Sequence, residues 1–252
     1  MTALILIVTT VSLATWAGWA LWRSPLLRTQ SADEGQPRGF IQKQVRYQTS
    51  FFVLAVVVAV LANSLATQGS GQVFGIGALA SPIQAEAFGF AHMDGASWMQ
   101  LGSLLTLCFG LATLVLVSAS LRSVANWPIL LKRFGLWVIV LSAVNALSEE
   151  LIYRGALIAV AQGLLEPSQI ALLSAVLFAL AHVRGQASGI AVVAGSAVVG
   201  WCLAHAVLQT HGLFWAWCAH FVQDMAIFLA FIAAMANPPL NPDAPKSGAP
   251  VS

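Results

Sequence analysis

Apolar runs of transmembrane length follow one another through this chain and decide its fold class before any motif is read. They cover residues 4–22, 51–66, 98–120, 134–161, 168–183, 190–207 and 213–236. A helix needs about 20 apolar residues to cross a bilayer core. Inside that core every backbone N–H and C=O must be satisfied within the segment, which leaves the α-helix for runs of this kind. The expectation is an all-α, polytopic transmembrane helix bundle of about seven spans. Composition agrees: 8% of the 252 residues are charged and 59% are hydrophobic, where soluble domains carry about 25% charged residues. A net charge of +2 with no basic, aromatic-interleaved patch excludes a nucleic-acid partner.

The loops predict an orientation. Residues 23–50, read as a polar loop, and 121–133 hold eight of the eleven Lys and Arg, whereas 67–97, 162–167 and 208–212 hold none. Arg184 falls on the basic side. The positive-inside rule then puts the N-terminus outside and the C-terminus in the cytoplasm, as expected of a bacterial inner-membrane protein. Residues 1–22 lack a basic leader and a following Ala-x-Ala site, so a retained first span is expected rather than a signal peptide. The chain divides into residues 1–130 (three spans and a basic cytoplasmic loop), a four-span core at 131–236, and a Pro-rich tail at 237–252 expected to be disordered.

The fourth run contains Glu149, Glu150 and Arg154. Ionisable groups at bilayer depth cost about 2.5–3.5 kcal/mol each on insertion scales, so each needs a partner or a use. Glu150 and Arg154 are four apart, on one helical face, in the favourable acid-first order. Their plain reading is a structural ion pair. Glu149 points elsewhere and has no local cation. If the turn near residue 164 is a hairpin tip, Glu149 lies 15 residues before it and His182 18 after. At about 1.5 Å per residue the two share a depth. The seventh run adds His220 and Asp224, again four apart on one face. Four polar groups on three helices predict a functional site within the membrane.

Other candidates read more plainly. His205 and His211, near the outer end of the sixth run, are interface or core groups, and His92 with Asp94 in the outer loop is too small a set for a metal. Cys108, Cys202 and Cys218 fit neither a metal site nor a disulfide framework. Small residues at 191, 195, 196 and 200 predict close helix packing on the sixth span.

Glu149-Glu150-x-x-x-Arg154, Phe178-x-x-x-His182 and His220-x-x-x-Asp224, with Gly155 after the arginine, resemble the three-motif signature of the CAAX-protease and bacteriocin-processing family of intramembrane endopeptidases, which includes the type-II CAAX prenyl endopeptidases. The resemblance covers roughly residues 134–230. It implies hydrolysis of a peptide bond in a membrane-associated protein or peptide by a water that Glu149 and His182 activate. His220 and Asp224 would stabilise the oxyanion; Asp224 stands where many relatives have Asn. Glu150 and Arg154 would support Glu149, and Phe178 would pack the cavity wall. The family has been described both as zinc enzymes and as metal-free glutamate enzymes. With no His-Glu-x-x-His in the sequence, no cofactor is favoured; if zinc is present its ligands would be Glu149, His182 and His220. The competing class is a non-catalytic scaffold or small transporter using the polar cluster as an ion or proton path. The matching halves common in transporters are not visible here.

Overall fold

The computed structural model describes residues 2–23, 36–66, 70–84, 95–122, 124–183 and 189–236. The tail at 237–252, Arg184, and the His92 and Asp94 loop lie outside the described residues. The described part is helical: α1 (Thr2–Arg23), α2 (Pro37–Leu65), a 3₁₀ turn (Ser70–Phe74), α3 (Trp98–Leu116), α4 (Ser118–Arg122), α5 (Trp127–Glu150), a π-helical turn (Leu151–Ala156), α6 (Leu157–Ala161), α7 (Pro167–His182), α8 (Ile190–Thr210) and α9 (Phe214–Ala236). Among the described residues no strand forms; only two isolated bridges occur, such as Pro82 to Ser97.

Six helices are long and apolar enough to cross a membrane, one of them the continuous stretch Trp127–Ala161. The fifth run is the shorter apolar helix α7, of 16 residues, about 24 Å at 1.5 Å per residue. It packs along α8 as a hairpin arm. The chain is therefore an integral membrane protein of roughly seven spans.

The basic loop departs from expectation. Residues from Pro37 onward are helical. Proline suits the first helical position, where its missing N–H leaves nothing unsatisfied. Phe40, Ile41, Gln44 and Gln48 then form a buried stripe at helical spacing, while Arg38 and Arg46 stay exposed. Amphipathic patterning extends α2 some 14 residues before the apolar run begins at residue 51.

The two ends of the bundle are distinct. At one end the segment 70–84 locks onto the turn between α8 and α9, through Ala78 N to Thr210 O (2.7 Å), Leu213 N to Gly75 O (2.8 Å) and Trp215 Nε1 to Leu79 O (3.0 Å). Gly212 and Gly77 meet backbone to backbone there, and a Cβ on either would strike the other. At the opposite end, where the basic residues cluster, Phe40 and Ile41 of α2 pack with Leu130, Phe134 and Val138 of α5 and Phe228 and Ile232 of α9. Leu157 to Ala161, the last turn of the long helix, are all buried, with α1, α2, α7 and the 3₁₀ turn around them. Of the small residues on α8, Gly200 lies against Ala175 and Phe178 of α7, as close packing requires, but among the described residues nothing lies against Gly195.

Candidate active site

The motif at 149–154 straddles a change of helical winding. Glu149 and Glu150 close α5, and residues 151–156 continue as a π turn. Such turns widen the helix locally and occur often at functional sites. Here Arg154 Nη1 binds Glu150 Oε1 at 2.9 Å, both side chains fully buried. Tyr153 reaches across to α1, its hydroxyl 2.6 Å from Thr15 Oγ1. Ser174 of α7 donates to the Tyr153 carbonyl at 2.8 Å, fastening the hairpin arm to the motif.

The Glu150–Arg154 pair is not self-contained. His220 Nδ1 lies 2.8 Å from the same Oε1 that Arg154 holds. A carboxylate only accepts, so the Nδ1 hydrogen is the donor. His220 Nε2 then faces Glu149 Oε2 and Asp224 Oδ1, each at 3.7 Å. Trp217, a turn earlier on α9, donates Nε1 to the Ala143 carbonyl at 3.2 Å and keeps α9 against α5. The α5–α9 contact thus brings Glu149, Glu150, His220 and Asp224 into one cluster.

Glu149 differs from Glu150 in its access. Its side chain is 17% exposed where that of Glu150 is 0%. It lines a cavity of about 220 Å³ with Asn145, Tyr153, His182 and Asp224. Asn145 Nδ2 donates to Glu149 Oε1 (3.2 Å) and to Asp224 Oδ2 (3.0 Å). Among the described residues no hydrogen bond reaches Glu149 Oε2. The cavity also takes Thr15, Trp19 and Trp22 from α1 and Gln44 and Tyr47 from α2. It lies toward the basic end, since Trp22 is in the last turn of α1 and Gln44 in the first third of α2.

His182 is on the cavity wall as the last residue of α7. Its Nδ1 bonds the Phe178 carbonyl at 2.8 Å, so Nε2 is left as the acceptor. Among the described residues it makes no direct bond to Glu149. Phe178 does not form the cavity wall. It is a buried platform behind it, with the Arg154 guanidinium 4.2 Å above the ring and the rings of His182, His220 and Tyr153 at 4.6, 5.6 and 5.5 Å.

Among the described residues no three His, Cys, Asp or Glu side chains are grouped to hold a metal ion. His205 and His211 lie away from the cavity lining, on α8 and in the turn that follows it. Sequence reading missed Asn145, Thr15 and Tyr47. A lone Asn, Thr or Tyr in a helix carries no pattern; Asn145 is on α5 itself, and Thr15 and Tyr47 reach the site through the packing of α1 and α2 against the motif region.

The membrane-embedded helical bundle thus carries a cavity lined by Glu149, His182 and Asp224, with Glu150 and His220 packed behind it. Residues 131–226 match the family model described as Rce1-like, type II CAAX prenyl endopeptidase. The match holds all three motifs and agrees with the resemblance that they carry. No curated protein and no solved structure matches the chain.

Proposed function

We propose that this chain is an intramembrane endopeptidase of the glutamate type, cleaving a peptide bond in a membrane-associated protein or peptide. The observation that carries the reading is Glu149. One oxygen is fixed by Asn145; among the described residues the other has no hydrogen bond and lies 3.7 Å from His220 Nε2. A base needs that freedom to take a proton from a water within hydrogen-bond reach. Glu149 accepts the water proton as the water oxygen bonds to the scissile carbonyl carbon. His182 Nε2 accepts a hydrogen bond from the same water and orients it. His220 Nε2–H, fixed by the Nδ1 bond to Glu150, donates to the developing oxyanion. Glu149 then returns its proton to the leaving nitrogen as the C–N bond breaks, giving a carboxylic acid and an amine.

The substrate enters from the basic end, which the positive-inside rule makes cytoplasmic. The aromatic lining from Trp19, Trp22 and Tyr47 suits an apolar chain beside the peptide. The test is cleavage of a quenched fluorogenic peptide with a prenylated C-terminal CAAX sequence by the purified protein in phospholipid vesicles. Glu149→Ala and His182→Ala should each lose about 10²-fold or more; variants as fast as the unaltered chain sink the reading. A chelator should leave the rate unchanged, and abolition of cleavage restored by zinc would replace the glutamate mechanism by a metal-dependent one.

A further inference from the structure

Asn145 lies one turn before Glu149 on α5 and faces the same cavity. Its Nδ2 has two hydrogens, and the two carboxylates of the cavity take one each, Glu149 at 3.2 Å and Asp224 at 3.0 Å. Glu149 and Asp224 belong to different helices, so this amide is the hydrogen-bonded link between them across the α5–α9 contact. Like charges facing each other at low dielectric repel strongly, and a carboxylate on a three-torsion side chain yields by rotating away. A neutral donor shared by both removes that freedom. It pins Glu149 by Oε1 and thereby aims Oε2 at His220.

We propose that Asn145 is a positioning residue of the hydrolytic site, holding Glu149 in its productive orientation through the amide shared with Asp224. The inference rests on the endopeptidase reading above. Asn145 itself does not exchange protons with the substrate; it determines where the base oxygen sits.

Shape and hydrogen bonding can be separated by substitution, because Asp and Leu both approximate the volume of Asn and neither donates from this position when the acid is ionised. Asn145→Leu removes both donors without adding charge. Asn145→Asp preserves the outline of the side chain and sets a third carboxylate between the other two. With the prenylated peptide in vesicles, Asn145→Leu should lower kcat by about 10²-fold, the loss that a misplaced reacting group of about 1 Å produces. Its KM should stay within about threefold, because substrate affinity comes from the rest of the cavity. Asn145→Asp should fall further than Asn145→Leu. A packing role predicts the opposite order, with the isosteric Asp variant the milder. The Leu variant, being uncharged, keeps the test open if the Asp variant does not fold.

An Asn145→Asp enzyme within about threefold of the unaltered kcat overturns the positioning role. A Leu variant whose KM rises by the factor its kcat/KM falls overturns it too, because Asn145 would then be a substrate-binding group. The assay includes Glu149→Ala as its reference. If the unaltered chain cleaves no faster than that variant, both the endopeptidase reading and this inference fail. An active chain with an active Asn145→Asp variant removes this inference alone.

Discussion

His220 and Arg154 hold the same oxygen of Glu150, the imidazole Nδ1 at 2.8 Å and the guanidinium Nη1 at 2.9 Å. Glu150 is therefore the joint between the motif on α5 and the one on α9. It neutralises a buried cation and, through the Nδ1 hydrogen, decides which face of His220 looks into the site. Orienting a functional imidazole by a carboxylate on its far nitrogen is a general device.

Two variants of Glu150 should behave differently. Glu150→Ala strands Arg154, which is fully buried and, among the described residues, has no hydrogen bond to its Nε or Nη2. Removing one member of a buried pair destabilises by about 3–5 kcal/mol, so the melting temperature in detergent should drop markedly. Glu150→Gln keeps an acceptor for His220 Nδ1 and the packing volume. It should fold and lose about tenfold or more in kcat. A Glu150→Ala protein that melts like the unaltered one would show that the ion pair is not structural.

Asp224 should tolerate an amide. Its Oδ2 accepts from Asn145 at 3.0 Å, and its Oδ1 stands 3.7 Å from His220 Nε2. Asp224→Asn keeps a carbonyl oxygen for Asn145 and offers an N–H toward the site, where negative charge builds up in the tetrahedral intermediate. Its kcat should stay within about threefold of the unaltered value or rise. Asp224→Ala deletes the acceptor that fixes Asn145 and should cost about 10²-fold, the loss expected when a reacting group is misplaced. Equal losses in the two variants would mean that the charge of Asp224 is what matters.

The fold and the main cluster were legible because both depend on strong local signals. Apolar runs of span length force helices, and a charged residue inside such a run stands out by its energetic cost, so Glu149, Glu150, Arg154 and Asp224 could be singled out unaided. The hairpin arithmetic brought His182 to the depth of Glu149, and both line the same cavity. What stayed hidden depends on side-chain direction. Phe178 reads as a wall residue by its place one turn before His182, yet its ring turns behind the cavity toward Arg154. The π turn at 151–156 has no sequence period of its own, so the partners of Tyr153 and Arg154 could not be assigned to faces. The contribution of α1 and α2 was invisible because Thr15 and Tyr47 lie on helices whose residues look generic in isolation. The early start of α2 was masked by its polar face, which reads as loop until the stripe at 40, 41, 44 and 48 is seen.

Phe178 is predicted to be a stability residue with a secondary effect on rate. It is buried under Arg154 and touches the rings of both histidines. Phe178→Ala should destabilise by about 3–5 kcal/mol through the cavity it leaves. Phe178→Leu fills most of the space but removes the face that receives the guanidinium, a contact of about 2 kcal/mol or more when desolvated. The Leu variant should therefore melt between the other two and retain measurable cleavage. If Phe178→Leu melts with the unaltered protein, the cation–π contact contributes nothing to the fold.

Gly155 owes its place to Phe74. The first residue after the motif arginine is buried in the π turn, and a Cβ there would lie 2.7 Å from Phe74 Cε1 and 2.9 Å from Cδ1. Phe74 ends the 3₁₀ turn, and the backbone of the residue after it, Gly75, accepts from Leu213 at the α8–α9 turn. Displacing the ring thus strains the whole interlocked end of the bundle. Overpacking of this kind destabilises by about 1–3 kcal/mol, and Gly155→Ala should lower the melting temperature accordingly with little change in kcat. Trimming the ring should relieve the clash: Phe74→Leu costs some burial alone, but combined with Gly155→Ala the two losses should sum to clearly less than their separate values. Residues in contact show such coupling of about 0.5–3 kcal/mol. Strict additivity in the double-mutant cycle would separate Gly155 from Phe74 and leave the glycine to be explained by the winding of the π turn alone.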